Sequence, residues 1–219
     1  AKPITVNREQ QYLEAVFNEL RRLGEWSLPN PLDGIRVFKE AEKEMSWLTL
    51  SQFPELFRAC EQYGKEDLTM IVKVCLATGA RWGEAERLTR PQLSPYKLTF
   101  TKTKGKKNRT VPIPKWLYDE LSVRQGRMFK PCYQEFKKML KLTNIELTEG
   151  QKTHVLRHTF GAHFMMNGGN ILVLQKILGH ANIRETMKYA HFAPDHLEQA
   201  VTLNPLSLYV GDNVAAEVA

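Results

Sequence analysis

The chain has 219 residues, of which 42% are hydrophobic, and its formal net charge is +7. This length allows one ordinary domain, or one domain with a fragment of another, and the apolar content suffices for a buried core. No stretch predicts a membrane span, and the polar first twenty residues do not resemble a signal peptide. The unevenly spaced Cys60, Cys75 and Cys132 favour buried thiols in a reducing compartment over a disulfide framework or a zinc site. The basic excess favours a polyanionic partner, so composition predicts a soluble intracellular protein and is compatible with nucleic-acid binding.

The first part of the chain is predicted to hold one helix followed by a linker. Residues 7–23 repeat apolar side chains at helical spacing, and Gly24 is a typical C-terminal stop. Residues 27–46 contain prolines, turn formers and a charged stretch, and they are predicted to be the linker. Because a single amphipathic helix cannot bury its own apolar face, we expect residues 1–26 to be the remnant of a larger N-terminal helical domain. A helix docked onto the main domain is the alternative.

Dense apolar periodicity predicts that the main domain covers residues 47–203. Thr49 and Gln52 form a capping-box pattern for a helix that runs to about residue 63. Residues 68–79 are apolar nearly all round, as in a central buried helix, and residues 96–114 predict a β-hairpin with a basic middle. Further helices are predicted from residue 115, over 131–142, from 153 to Gly168, over 171–179, over 183–192 after a capping box of Asn182 and Glu185, and over 195–203. The predicted fold is mainly α with a small antiparallel β-sheet (α+β), followed by a tail over residues 204–219.

Basic side chains are concentrated in the predicted hairpin, at Lys102, Lys104, Lys106, Lys107 and Arg109. A basic cluster on a rigid hairpin favours contact with phosphates, where neutralised charge gives salt-dependent affinity. A solvated turn is the alternative that explains most charge runs.

Arg81 follows the predicted buried helix, and Glu84 comes one helical turn later. An arginine between buried helices is unfavourable without a partner, so we expect Glu84 to hold it by an ion pair. The pair is equally consistent with a structural role and with presentation of the remaining guanidinium donors to a phosphate.

His154 and Arg157 share one helical face, which combines a proton-transfer group with an anion-binding group. His158, four residues after His154, could pair with it on a metal, but Val155 stands where a zinc hydrolase needs glutamate. No third ligand follows at a suitable spacing, so we predict no metal site. A structural core histidine is the default interpretation of His158 and of His163.

His180 ends a predicted helix, and Tyr189 lies nine residues later. A tyrosine nucleophile needs a base or cationic neighbours, because a phenol pKa near ~10 leaves little phenolate at neutral pH. Taken singly, Tyr189 is more often a half-buried aromatic whose hydroxyl finds a hydrogen bond. His191 and His196 have no assigned role and are expected at the surface or at helix caps.

Six of these side chains, in their order and spacing, resemble the active-site set of the tyrosine recombinase (phage integrase) family: Arg81, Lys104, His154, Arg157, His180 and Tyr189. The segment "ATGARWGEAERL" is similar to the first sequence box of the family, and residues 154–192 are similar to the second. The resemblance covers about residues 47–203 and is closest to integrases of temperate tailed phages of enteric bacteria. It implies that residues 47–203 are a recombinase catalytic domain.

The resemblance implies that Tyr189 attacks the scissile DNA phosphate, forming a 3′-phosphotyrosine and releasing a 5′-hydroxyl. Arg81 and Arg157 would hold the non-bridging oxygens, with Glu84 supporting Arg81. Many relatives carry an acid where this chain has Val155, a difference that we expect to affect local packing more than the reaction.

The resemblance also assigns the proton donors and acceptors. Lys104 would protonate the leaving oxygen, and either Lys106 or Lys107 is an alternative for this role. His154 would accept or orient a proton, and His180 would be a second donor to the phosphate. Other DNA contacts are expected from the hairpin: Lys102, Lys106, Lys107 and Arg109. Because a phosphotyrosine conserves bond energy, no ATP, divalent metal or other cofactor is expected.

The expected partners are double-stranded DNA attachment (att) sites and further copies of the chain, as a tetramer on DNA in the cytoplasm of a bacterial host. Residues 1–26 would then be the end of a core-binding domain. Residues 206–210 alternate like a strand and are predicted either to be exchanged with a neighbouring subunit or to be an uninvolved terminus. Accessory DNA-bending and directionality proteins are further expected partners.

Two other functions compete with this one. A DNA-binding regulator on the same scaffold, without catalysis, is the first alternative, and a metal-dependent nuclease or hydrolase is the second. Tyr209 is a rival nucleophile by residue type, but its spacing from His180 does not match the family.

Overall fold

The computed structural model describes residues 3–39, 45–101, 108–148, 150–195, 200 and 204–206. The chain forms two compact units, Ala1–Glu44 and Met45–Ala219. Within the described residues, no helix has both the length and the apolar character needed to cross a membrane.

The first unit is built on one helix, α1 (Pro3–Arg22). Asn7 of α1 donates a hydrogen bond to the carbonyl of Phe38 and accepts one from the Phe38 amide, at 3.0 and 2.9 Å. The side chain of Asn30 donates to the carbonyl of Glu14 at 3.2 Å. Both asparagines are buried. Residues 27–39, predicted as part of a linker, therefore fold back along α1.

The second unit contains the remaining helices and the sheet. Its elements are α2 (Phe53–Gln62), α3 (Glu66–Thr78), α4 (Trp82–Glu86), β1 (Leu93–Ser94), β2 (Lys97–Phe100), β3 (Arg109–Pro112), α5 (Lys115–Ser122), α6 (Tyr133–Leu140), α7 (His154–Met166), α8 (Ile171–Leu178) and α9 (Arg184–Met187). The prediction of a mainly α fold with a small antiparallel sheet is confirmed. The expected capping pattern is also present, since the amide of Thr49 donates to the side chain of Gln52 at 2.9 Å.

The sheet has three antiparallel strands in the order β1-β2-β3. In the predicted hairpin, Leu98 pairs with Val111 and Phe100 pairs with Arg109. Leu98, Phe100 and Val111 are buried, so one face of the hairpin closes the core. The middle of the hairpin, residues 102–107, lies outside the described residues.

The core is centred on α3, which is buried along most of its length and packs against α7. Gly79 ends α3 in the left-handed region, with φ of +64°. A Cβ atom at this position would lie 2.6 Å from side-chain carbons of both Leu178 and Phe160. A glycine is therefore required for the close approach of α3, α7 and α8.

The predicted helix over residues 183–192 is wrong in detail. The chain instead forms the single turn α9 and a 3₁₀ turn, Ala190–Phe192, with Tyr189 between them. The predicted capping box is absent, because the side chain of Asn182 accepts from the Arg184 amide and the Glu185 carboxylate lies 3.9 Å from the ring of His180. The predicted helix over 195–203 and the tail strand over 206–210 lie almost wholly outside the described residues.

Candidate active site

Five of the six predicted catalytic side chains come from elements that converge beside α7. His154 and Arg157 lie one turn apart on α7, Arg81 precedes α4, His180 follows α8 and Tyr189 follows α9. Burial lowers the pKa values of His154 and His180, and the charges of Arg157 and Arg81 lower them further, so these side chains interact across the elements. Lys104, the sixth predicted residue, lies outside the described residues, as do Lys102, Lys106 and Lys107.

Arg157 is anchored in the core of the site by backbone carbonyls. Its guanidinium donates to the carbonyl of Gly79 at 2.8 Å and to that of Leu178 at 2.7 Å, and only 4% of the residue is exposed. Burial and the charge of Arg81 lower the pKa of Arg157 to about 10, so it remains a cation at neutral pH. A guanidinium has more N–H donors than these two carbonyls use, which leaves Arg157 able to bind an anion.

Arg81 and Glu84 form the expected pair. Glu84 accepts from the backbone amide of Arg81 at 2.9 Å and from its guanidinium at 3.2 Å. The Arg81 side chain remains 27% exposed, beside a cavity of about 560 Å³ that His154 also lines. Arg81 can therefore present donors to a ligand in this cavity while its backbone is held at the start of α4.

Arg109, predicted as a DNA contact, is buried in an ion pair with Glu84 in this structure. Its guanidinium donates to both carboxylate oxygens of Glu84, at 3.1 and 2.6 Å, and lies over the ring of Phe100 at 4.6 Å. Burial raises the pKa of Glu84, but the hydrogen bond and charge of Arg109, with those of Arg81, outweigh it and hold the pKa at about 2. The periodicity of β3 explains this inward position, because Arg109 falls on the face of the strand that points into the core.

His180 is held by the chain that follows it. Its Nδ1 atom is hydrogen bonded to the hydroxyl of Thr186 at 2.8 Å, and its side chain is buried. Burial, together with Arg157 and Lys188, lowers the pKa of His180 to about 3, so the ring is neutral at pH 7. The tautomer that accepts from Thr186 carries its proton on Nε2, which is then a donor for a phosphate oxygen.

Tyr189 is fully buried, with 0% of the residue exposed. Its hydroxyl is hydrogen bonded to Nδ1 of His158 at 2.9 Å. Its ring packs against Gly161 of α7, where a Cβ atom would lie 2.6 Å from a ring carbon. Burial raises the pKa of Tyr189 to about 12, although Arg157 and Arg81 oppose the increase. The phenol is therefore protonated at neutral pH and needs a proton acceptor in order to act as a nucleophile.

Two side chains at the site were not predicted. His158, interpreted as a core histidine, instead contacts the hydroxyl of Tyr189. Lys188 lies with its ammonium 5.2 Å from the centre of the Tyr189 ring, and burial and the charge of Arg157 lower its pKa. The sequence placed His158 on the same helical face as His154, but its contact with Tyr189 depends on how α7 and the chain after α9 pack together.

The remaining described histidines lie apart from this chemistry. His163 is hydrogen bonded through Nε2 to the carbonyl of Leu48 at 2.7 Å and packs edge-on against Trp47, which is the structural role expected of it. His191 is exposed and its ring lies 4.0 Å from that of Phe192. Among the described residues, no group of three or more His, Cys, Asp or Glu side chains is placed to hold a metal ion.

Residues 46–196 match the family model described as the Phage integrase family. The chain belongs to the phage integrase family. Residues 1–39 match a second model, the N-terminal domain of phage integrase. The resemblance inferred from the site residues is thus confirmed at the level of the family.

Individual relatives agree with this assignment. The integrase of Escherichia phage 186 is 59% identical over 205 residues, which cover 93% of this chain and 61% of that integrase. The solved catalytic domain of bacteriophage HP1 integrase is 57% identical, with a TM-score of 0.72, over 75% of this chain and 98% of that domain. The Tn1549 transposon integrase, solved in complex with circular intermediate DNA, shares the fold with a TM-score of 0.70 at 19% identity, over 90% of this chain and 78% of that chain.

Proposed function

We propose that this chain is the part of a phage integrase that cleaves and rejoins DNA strands through a 3′-phosphotyrosine intermediate. The convergence of Arg81, Arg157 and His180 beside the buried Tyr189 supports this function most strongly. The three side chains combine two permanent cations with a neutral hydrogen-bond donor, as a phosphate that gains charge during attack requires.

In the proposed reaction, the scissile phosphate binds between Arg81 and Arg157. The phenolic oxygen of Tyr189 forms a bond to phosphorus while the bond from phosphorus to the 5′ oxygen breaks. Arg81, Arg157 and His180 stabilise the negative charge that grows on the non-bridging oxygens. Lys104 is proposed to protonate the 5′ oxygen, with Lys106 and Lys107 as alternatives, and His154 is proposed to orient or accept a proton.

The 5′-hydroxyl of a partner strand would reverse these steps and rejoin the DNA. The phosphotyrosine retains the energy of the phosphodiester bond, so the reaction needs no ATP.

The proposed partners follow from the same reaction. We propose double-stranded att sites as the substrate, a tetramer of the chain as the recombining assembly, and accessory DNA-bending and directionality proteins as its regulators, in the cytoplasm of the bacterial host. Residues 1–26 are proposed as the end of the preceding core-binding domain, and the match of residues 1–39 to the N-terminal integrase domain supports this. The tail, residues 204–219, is proposed to bind a neighbouring subunit.

Trapping of the covalent adduct tests the function. A duplex carrying the att site, with a nick next to the cleavage position, loses a short 5′-hydroxyl fragment after attack, so that the protein stays linked to DNA. We expect the unaltered chain to form an adduct that survives denaturing electrophoresis, in the presence of chelator, and Tyr189→Phe to form none. Salt-sensitive DNA binding with no adduct from the unaltered chain would contradict the proposal and favour a DNA-binding regulator.

A further inference from the structure

The hydroxyl of Tyr189 must lose its proton when its oxygen attacks phosphorus, and its surroundings restrict where that proton can go. Among the residues that the structure describes, Arg157, Arg81 and Lys188 are the charged groups that face Tyr189 from α7, from the start of α4 and from the chain after α9. All three are hydrogen-bond donors with no acceptor atom in their charged state. They can stabilise a phenolate, but they cannot receive its proton.

Among the described neighbours of Tyr189, the histidines are the titratable groups that can act as proton acceptors. His180 uses its Nδ1 atom for the hydroxyl of Thr186. In the described part of the chain, His154 makes no hydrogen bond to Tyr189, and its ring lies 6.3 Å from that of His158. Nδ1 of His158 lies 2.9 Å from the phenolic oxygen itself.

The charge state of His158 suits it to accept a hydrogen bond. Burial is the largest influence on the ring, and Lys188, His154, Arg157 and His180 add to it, so that the pKa of His158 falls to about 3. The ring is therefore neutral without DNA, and one of its nitrogens carries a lone pair. A bound phosphate would place negative charge among these cations and raise the pKa of His158, because an adjacent anion favours the imidazolium form.

We propose that His158 is a further catalytic residue, which takes the phenolic proton of Tyr189 during strand cleavage. As the bond between the Tyr189 oxygen and phosphorus forms and the bond to the 5′ oxygen breaks, the proton passes to Nδ1 and leaves an imidazolium. The 5′ oxygen receives a separate proton from the general acid proposed above. In rejoining, the imidazolium returns its proton to the departing phenolate. This inference rests on the proposed function and moves the role of proton acceptor from His154 to His158.

Replacing His158 with asparagine distinguishes a residue that takes the proton of Tyr189 from one that only positions its hydroxyl. The amide oxygen of His158→Asn can occupy the place of Nδ1 and accept the hydrogen bond, but it cannot take the proton. His163→Gln is the matched control, because His163 lies on the same helix and bonds a backbone carbonyl through Nε2. Single-turnover cleavage of the nicked att-site duplex is measured from pH 5.5 to 9.5, after confirming that each variant folds and binds DNA.

We expect His158→Asn to cleave DNA at least about 100-fold more slowly than the unaltered chain at neutral pH, because general-base catalysis contributes about 10²–10⁴-fold. The cleavage rate of the variant should rise in proportion to the hydroxide concentration. The control should keep the rate and pH profile of the unaltered chain. An unaltered rate and pH profile in His158→Asn would overturn the proposal, and so would hydroxide dependence that appears in His154→Asn instead. If the unaltered chain forms no adduct, the proposed function fails and this role fails with it.

A second measurement leaves His158 itself unaltered. The nitrogen chemical shifts of ¹⁵N-labelled histidine report which ring nitrogen carries the proton. We expect Nδ1 of His158 to be unprotonated at pH 7 and to lose the signature of its hydrogen bond in Tyr189→Phe. A proton resident on Nδ1 would overturn the proposal, because that atom would then donate to the phenol.

Discussion

Replacing Glu84 with glutamine tests the ion-pair network that holds Arg81 and Arg109. The carboxylate binds Arg109 through both oxygens and also binds Arg81, and its side chain is 6% exposed. The Nε atom of Arg109 is buried without a hydrogen bond, so the guanidinium depends on Glu84 for its stabilisation. Glu84→Gln keeps the shape of the side chain but leaves this cation buried without a counter-charge.

The pKa of Glu84 determines how much folding stability Glu84→Gln should lose. A value lowered from 4.5 to about 2 corresponds to about 3 kcal/mol of stabilisation by the charged form, at about 1.4 kcal/mol per pH unit. Because the pKa is lower in the folded state, this stability is present above pH 4.5 and is lost as the pH falls from 4.5 toward 2. We expect Glu84→Gln to unfold about 3 kcal/mol more easily at pH 7, and the difference from the unaltered chain to disappear near pH 2.

Urea denaturation followed by far-UV circular dichroism, repeated between pH 7 and pH 2, measures this difference. Glu120→Gln is the matched control, since its salt bridge with Lys73 has a similar length of 2.7 Å but a carboxylate that is 39% exposed. We expect the control to change stability by less than about 1 kcal/mol. Equal stabilities of Glu84→Gln and the unaltered chain at pH 7, or a difference that does not shrink on acidification, would show that the Glu84 ion pairs do not stabilise the fold.

Three further substitutions address the site itself. Gly161→Ala places a Cβ atom 2.6 Å from the Tyr189 ring, so we expect the displaced nucleophile to slow adduct formation about 100-fold, and an unchanged rate would show that the ring moves freely. Arg157→Lys loses the two-pronged guanidinium that binds the carbonyls of Gly79 and Leu178. We therefore expect the free energy of unfolding, measured by urea denaturation, to fall by about 1–3 kcal/mol and cleavage to slow about 100-fold. Lys188→Met removes a cation that lowers the pKa values of His158 and His180, so both should rise in an NMR titration, and unshifted values would contradict the charge coupling.

Much of the fold could be predicted because it depends on local patterns. The apolar run of α3 and the alternation of β2 and β3 each specify an element from neighbouring residues, and each is present near the predicted bounds. The helix over residues 183–192 was predicted incorrectly because its local pattern does not show where the helix is interrupted. At the interruption, the Tyr189 ring packs against Gly161 of α7, a contact between residues far apart in the sequence that local periodicity does not encode.

The site shows the same division between local and tertiary information. The order of Arg81, Arg157, His180 and Tyr189 along the sequence indicated the chemistry, and the fold brings these residues together. Which side chain contacts which could not be predicted. Arg109 belongs to the basic cluster of the hairpin, and the position of its side chain against Glu84 depends on how its strand pairs. The contact of His158 with Tyr189 likewise depends on the packing of two segments that are distant in the sequence.

Identification of the residue that becomes attached to DNA is the decisive measurement for Tyr189 as the proposed nucleophile. The trapped adduct is digested with protease and nuclease, and mass spectrometry locates the tyrosine that carries the residual nucleotide through its 3′ phosphate. Tyr209, the rival nucleophile by residue type, provides the internal comparison, with Tyr209→Phe as the matched variant. We expect the modification to lie only on Tyr189 and Tyr209→Phe to form the adduct normally. A nucleotide on any other residue, or an adduct formed by Tyr189→Phe, would contradict this expectation.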